Sequence, residues 1–393
     1  MEPLDEKTRL FIEQNQHADV AALALKLAGR TDIDSTLALR QIEGRQRLAA
    51  KVPSWAAVDR LRFPQRLSLE QCSGEHAARY KARLAAGLDI PHGAMADLTG
   101  GFGVDFAHLA PLFDRAFYVE RSAELCDTVR HNLPLLGVKN AEVIAGDAAD
   151  ILPTLPALDL IFVDPARRDS AGRKTVALAD CTPDIGHLAP ALLSKAPAVM
   201  VKLSPMIDLH EAAAGLPGVA EIHVVADRGE CKEVLILLRQ NAGGEPRIIC
   251  ADGNFAFTAS EEAAAATSYA TAVGRYLYEP DASVLKAGAF RLTAQRYGVQ
   301  KLHPNSHLYT AAHLVPDFPG RSFAVTASGG TGRRDLRVLL SGLTKANITV
   351  RNFPATVAEL RKRWKLRDGG DTYLFATTLA TGCHCLIACR KAT

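Results

Sequence analysis

The sequence predicts an α/β protein: a doubly wound, mostly parallel, seven-stranded sheet, preceded by a small helical domain and followed by a small α+β domain. Three observations predict it. Between residues 94 and 239, seven short apolar runs alternate with helical stretches, which implies right-handed crossovers and a parallel sheet. No strand pattern precedes residue 94. The charge also divides along the chain. Residues 1–88 carry 14 Lys and Arg against 11 Asp and Glu, residues 89–245 carry 13 against 22, and residues 246–393 carry 19 against 10. Three domains are expected on these boundaries: 1–88, 89–245 and 246–393.

The first 88 residues read as helical. FIEQNQHADVAALALKLAG places Val20, Leu23, Ala24 and Leu27 at helical spacing and ends in Gly29. DIDSTLALRQIEGRQRLAAK follows, opened by Asp34 or Ser35 as a cap. SLEQCSGEHAARYKARLAAGL offers Ser73 as an N-cap and Gly87 as a stop. The strand candidates are AMADL, AFYVE, AEVIAG, LDLIFVD, AVMVKL, EIHVVA and EVLILLR. Those before about residue 203 are near-continuous apolar runs, as strands covered on both faces must be. The last two, separated by DRGECK, suit an antiparallel hairpin at the sheet edge. Residues 246 to about 320 read as irregular, with EEAAAAT as a helical exception. Beyond them, two helices (RRDLRVLLSGL and TVAELRKRWKL) among four strands (FAVTA, NITVRNF, TYLFATTL and HCLIACR) suit a small α/β sandwich.

Composition excludes several classes. The chain is 48% hydrophobic and 23% charged, ordinary for a soluble globular protein. No apolar run approaches the roughly 20 residues that span a bilayer, and the polar, acidic start does not read as a secretory signal. Eight scattered cysteines read as free thiols, so a reducing, cytoplasmic location is expected. Cys383, His384, Cys385 and Cys389 lack a second ligand pair, and no metal is expected.

ADLTGGFGVD, residues 96–105, carries the central chemistry. A strand ending in Asp97 runs into a Gly-rich turn and then a helix, so that a ligand can approach backbone closely at Gly101 and Gly103. The spacing D-x-x-x-G-x-G lacks the third glycine of a dinucleotide turn, since position 106 is Phe. A carboxylate at the strand end suits an ammonium group better than phosphates, which favours a nucleoside cofactor without pyrophosphate. Glu120 ends the next strand, where an acid accepts from both ribose hydroxyls. Asp147 follows the third strand, placed to accept from an adenine amino group, with Ala148 supplying a backbone N–H. Thr99 and Arg121 complete the candidate cofactor set. The fourth strand ends in Asp164-Pro165-Ala166-Arg167-Arg168, facing the reacting end of such a ligand. Asp164, Pro165, Arg167 and Lys202 form the candidate catalytic set. Lys202 reads equally as a phosphate contact or a solvated charge. Arg167 and Arg168 read as phosphate ligands or loop supports, with Arg168 placed among the substrate contacts.

Across residues 89–245 these motifs resemble the class I methyltransferase superfamily. The resemblance implies a Rossmann-like sheet and S-adenosylmethionine as cofactor. Asp-Pro-Ala-Arg-Arg departs from the Asp-Pro-Pro-Tyr form of enzymes that methylate exocyclic amines. It also departs from the Asp-Pro-Pro-Arg form of the uracil-C5 RNA methyltransferases. No cysteine follows in AVMVKLSP, which disfavours a covalent C5 mechanism. FPQRLSLEQCSGEHAARYKARL (63–84), FVDPARRD (162–169) and KANITVRNFPATVAELRKRWKLRDGGDTYLFATT (345–378) are similar to bacterial methyltransferases with a THUMP-like C-terminal region. That likeness extends over nearly the whole chain and implies a structured RNA substrate. In related enzymes, Gln71–Glu75 resembles a lid over the methionine end of the cofactor.

The residues of the tail agree. Arg351, Arg361, Lys362, Arg363, Lys365 and Arg367 crowd a stretch containing Phe353 and Trp364, as phosphate contact and base stacking require. Lys286, Arg291, Arg296, Tyr297 and Lys301 suggest an extension of that surface. The expected activity is therefore S-adenosylmethionine-dependent methylation of a base in tRNA or rRNA, with a ring or exocyclic nitrogen as acceptor. Two other readings stand beside it: a methyltransferase for a small molecule or protein, and a catalytically silent RNA-binding protein that kept the fold.

Overall fold

The computed structural model describes residues 5–167, Leu178 and 181–392. Arg168 lies outside the described residues, and so does the side chain of Arg167. The chain divides into two compact units: residues 1–227 with 232–246, and residues 228–231 with 247–393.

The first unit opens with six helices: α1 Glu6–Asn15, α2 Val20–Leu27, α3 Ser35–Lys51, α4 Pro53–Ala56, α5 Arg66–Gln71 and α6 Glu75–Ala86. Asp19 caps α2 through Ala22 N–H, so FIEQNQHADVAALALKLAG divides into two helices rather than one. Asp34 caps α3 through Leu37 N–H. Ser73 does not cap α6. Gly74 holds that position without a side-chain bond, and the Ser73 hydroxyl is drawn instead to a buried carboxylate, Asp105.

β1 Ala94–Asp97, α7 Val104–Leu109, β2 Arg115–Glu120, α8 Ala123–Leu135, β3 Ala141–Ala145, α9 Ala148–Ile151 and β4 Leu160–Val163 follow. After a two-residue ladder, β5 Ala166–Arg167 against β6 Cys181–Thr182, come α10 Ile185–Lys195, β7 Ala198–Leu203, α11 Leu209–Ala214, β8 Val219–Asp227 and β9 Glu230–Arg239. All seven strands read from the sequence are present, in the order β8-β9-β7-β4-β1-β2-β3. β1, β2, β3, β4 and β7 pair in parallel, and β9 pairs antiparallel with β7. The hairpin strands are thus reversed against chain order: β9 enters between β7 and β8. Met95, Phe106, Tyr118, Leu160, Phe162, Met200 and Leu235 fill the core over one sheet face. A second cluster ties the N-terminal helices to α7: Leu48, Trp55, Phe63 and Ala78 pack with Phe102 and Val104. Among the described residues, no helix is long and apolar enough to cross a membrane.

The second unit corrects the expectation of irregular chain from residue 246 to about 320. It contains β10 Arg247–Cys250, β11 Phe255–Phe257, α12 Ala259–Ala264, β12 Tyr276–Pro280, α13 Ala282–Ala287, α14 Phe290–Tyr297, β13 Gln300–Lys301 and β14 Tyr309–Ala311. These are short, and strands of two to five residues leave too little alternation to read. β15 Gly320–Gly329, α15 Arg333–Leu339, β16 Asn347–Arg351, α16 Val357–Trp364, β17 Tyr373–Thr378 and β18 His384–Lys391 then match the elements read from the sequence. They join β12 to β14 in one seven-stranded sheet, β13-β14-β12-β15-β18-β17-β16, larger than the four-stranded sandwich expected. Leu339 and Leu360 bring α15 and α16 onto Ile348, Leu374 and Leu386. Cys385 and Cys389 are buried in the same sheet.

Gly44 in α3 shows how tightly the N-terminal helices are set. A Cβ there would lie 2.4 Å from Phe63 Cβ. Gly44→Ala gains about 1 kcal/mol of helix propensity but loses roughly 1–3 kcal/mol to overpacking. The expected result is a lower Tm by circular dichroism; an unchanged or higher Tm would show that Phe63 yields without cost.

Candidate functional site

The parallel strands deliver their carboxyl ends to one place. Asp97 ends β1, Glu120 ends β2, and Asp164 follows β4. Together with the Gly-rich turn they line a cavity of about 760 Å³, which also takes in Thr99, Arg121, Asp147, Ala148, Pro165 and Lys202. Every candidate cofactor residue therefore converges there, as do all the candidate catalytic residues whose side chains are described. Ligand sites of doubly wound sheets form in this crevice.

The turn is shaped by close packing. Gly100, which the sequence reading passed over, has the least room: a Cβ there would sit 2.0 Å from the Tyr118 ring. Tyr118 is fully buried, and its hydroxyl donates to Gly101 O at 2.5 Å. Gly101 and Gly103 have φ of +55° and +80°, which a side chain would strain. Gly101 N–H donates to Glu120 Oε2 at 3.0 Å, and Ser122 N–H donates to Oε1 at 2.9 Å. Glu120 is thereby fixed in place, with lone pairs remaining for two hydroxyl donors. Thr99 Oγ1 accepts from Asp164 N–H at 2.6 Å, pinning the end of β4 to the turn. Asp147 caps α9 through Ala149 N–H, and Arg121 approaches it at 3.8 Å.

Asp97 is 1% exposed and accepts one bond, from Thr99 N–H at 3.0 Å. Burial, with Asp105, Asp164 and Glu120 nearby, pushes its carboxyl well above the usual range. Such a carboxylate calls for a cation. S-adenosylmethionine fits the chemistry of this donor set: its ammonium would meet Asp97, its ribose Glu120 and its adenine Asp147 and Ala148, beside the Gly-rich turn.

Lys202 Nζ donates to Asp164 Oδ2 at 2.5 Å. Burial opposes the Lys202 charge, but Asp164, Asp105 and Glu233 outweigh it and raise its pKa. Lys202 is thus an ion-paired charge, not a solvated one. Asp164 keeps about a third of its side chain open (34%).

The five C-terminal candidates belong to the second unit. Arg351 donates to the buried Glu279 at 3.0 Å, with Arg321 on the other carboxylate oxygen. Arg361 donates to Asp368 at 2.6 Å. Lys362, Arg363 and Lys365 are exposed at the end of α16. Of the second basic group, Lys301 is buried and donates to Pro304 O, and Arg296 bonds Ala256 O and Glu261. Those two are engaged within the fold.

A raised folded-state pKa means that ionised Asp97 costs the ligand-free protein stability at pH values above it. Asp97→Asn should therefore raise the ligand-free Tm at neutral pH by roughly 2–4 °C, the shift of ~1 kcal/mol in a unit this size. It should also abolish calorimetric binding of S-adenosylmethionine. A lower Tm would refute the assigned strain.

Comparison with known proteins identifies the family. The chain is 37% identical to a Porphyromonas gingivalis W83 protein assigned as a methyltransferase, whose crystal structure matches over 100% of both chains with a TM-score of 0.86. It is 30% identical over 320 residues to an uncharacterized S-adenosylmethionine-dependent methyltransferase of Mycobacterium tuberculosis, covering 80% of this chain and 84% of the relative. Residues 276–319 match a family model described as a ferredoxin-like domain, and residues 320–391 one described as THUMP domain-like. Strand β12 from the first match pairs with β15 from the second, so both belong to one sheet. With 30% identity sustained over four-fifths of its length, the chain belongs to the S-adenosylmethionine-dependent methyltransferases.

Proposed function

We propose that the acceptor is a base nitrogen in tRNA or rRNA. One observation carries this reading: Lys362, Arg363, Lys365 and Arg367 form an exposed cationic run where α16 ends, in the region with the THUMP-like match. Leu360 anchors the helix from beneath, and Lys365 turns the chain at φ 54°. Exposed cations on a rigid element suit phosphate contact, which sets affinity without reading sequence. The excess of 19 basic over 10 acidic residues beyond residue 245 supports the same partner.

S-adenosylmethionine supplies an electrophilic methyl group to the cavity. The chain's part is to hold the acceptor. Asp164 accepts an N–H of the base, which leaves the nitrogen lone pair free to face the donor. Lys202 keeps that carboxylate aimed, and Pro165 stiffens the backbone after it. A nitrogen acceptor needs little proton transfer before attack, so positioning provides most of the acceleration.

Methylation of RNA from a deletion strain, with labelled methyl donor, tests the substrate directly. Label entering small molecules or protein but not RNA would overturn it. Lys362→Ala with Arg363→Ala should weaken RNA binding and reduce its log–log salt slope by about 0.9 for each phosphate that is no longer neutralised. Cofactor affinity should be unchanged; an unaltered salt slope would remove α16 from the interface. Asp164→Ala should cut turnover by about 10²-fold or more and leave cofactor Kd within a few-fold. Full turnover in that variant would exclude Asp164 from the mechanism.

A further inference from the structure

Lys81, on α6, is fully buried. A side chain carrying an ammonium into such a place needs partners that replace water. Three do. Nζ lies 2.5 Å from Glu233 Oε1 on β9 and 3.0 Å from Asp105 Oδ1 in the first turn of α7. It also donates to Ser73 Oγ at 3.2 Å, and Ser73 in turn donates to Asp105 Oδ2 at 2.6 Å. Lys81, Ser73 and Asp105 thus close a ring that Glu233 neutralises from the sheet.

The ring and its counter-charge join three distant pieces of chain: the segment leading into α6, the helix after the Gly-rich turn, and β9. Ser73 and Asp105 line the cavity, along with Ser68, Gln71 and Cys72; Lys81 and Glu233 do not. Asp105 Oδ2 accepts from Ser73 and Oδ1 lies in ion-pair contact with Lys81, and Lys81, Lys202 and Ser73 overcome burial to hold the carboxyl below the usual range. Asp105 therefore stays an acceptor locked to protein donors, and what it contributes to the cavity is a fixed wall. The single hydroxyl hydrogen of Ser73 is likewise spent on Asp105.

We propose that Lys81 is a positioning residue for the cofactor: by holding Ser73 against Asp105, it fixes the wall of residues 68–73 at the spacing from the Gly-rich turn that bound S-adenosylmethionine requires. This rests on the reading of the cavity as the cofactor site. Removing the ammonium takes away the donor that holds Ser73 Oγ from its other side and leaves Asp105 and Glu233, two buried carboxylates, without their shared cation. The wall then has no single position, and the cofactor must order it on binding.

Calorimetric titration with S-adenosylmethionine tests this on Ser73→Ala, Lys81→Met and the double variant, each first shown folded by circular dichroism at the titration temperature. Either single change should raise Kd about tenfold, the equivalent of one lost buried hydrogen bond. The double variant should lose no more than the worse single, because both act through one ring. Ser73→Thr, which keeps the hydroxyl, should recover most of the affinity. Wild-type Kd in Ser73→Ala overturns the proposal, as do losses that add in the double variant. If Lys81→Met does not fold, Ser73→Ala and its Thr counterpart decide alone. Asp97→Asn serves as the reference: undiminished binding in that variant would mean that the cofactor lies elsewhere, and the reading of the cavity would fail instead.

Discussion

Charge held away from water organises the first unit. Asp97, Asp105 and Glu233 are buried, Asp164 is partly so, and two lysines answer them: Lys81 without exposure and Lys202 nearly so. Breaking one such pair by removing a partner costs about 3–5 kcal/mol, so β4, β7, β9, α6 and α7 must keep the positions that satisfy it. The cations do not balance the acids. Among the described residues, Asp97 has no basic partner in its immediate surroundings, and its neighbours are other carboxylates. A ligand with an ammonium and a sulfonium suits that imbalance, and one with phosphates would worsen it. On the reading of the cavity as the cofactor site, binding would relieve at Asp97 the tension that the ligand-free protein carries.

How much of this was legible in the sequence depended on distance along the chain. The seven strands showed as apolar runs because a doubly wound sheet buries both faces, and a local window records that. Asp97, Gly101, Gly103 and Glu120 showed because strand ends and turns are local too. Gly100 did not, although it is the most constrained of the three turn glycines: its neighbour is the Tyr118 ring, and no spacing rule joins residues 100 and 118. Lys81 and Glu233 lie 152 residues apart. Each taken singly looks like a surface charge on an amphipathic element. Ser73 was misread as a cap for a similar reason, because the cap position is a local inference and Asp105 is not.

In the second unit the misreading ran the other way. Residues 276–311 hold strands of two to five residues and helices of six to eight, each too short to establish a period. They become legible only as partners of β15, whose ten residues span the sheet. Basic composition was also less informative than it looked. Arg351 and Arg321 neutralise Glu279, Arg296 joins α14 to α12 and β11, and Lys301 is buried, so counts of cations overstate the charge available to a partner. Of the stretch from Arg351 to Arg367, Lys362, Arg363, Lys365 and Arg367 are the exposed cations, a narrower strip than the sequence suggested.

The place of β9 has a consequence for how the protein is made. Synthesis proceeds from the N-terminus, yet the strand that completes the sheet beside β7 emerges after β8, which ends up farther out. Until residue 239 has left the ribosome, β7 presents an open edge and Lys81 lacks Glu233. A nascent chain carrying the whole Gly-rich turn, Asp97 and Asp164 is therefore still an unfinished binding site with an unpaired strand, the kind of edge on which chains associate wrongly. The order of the strands makes the methyltransferase unit an all-or-none product of translation, with its pocket closed last.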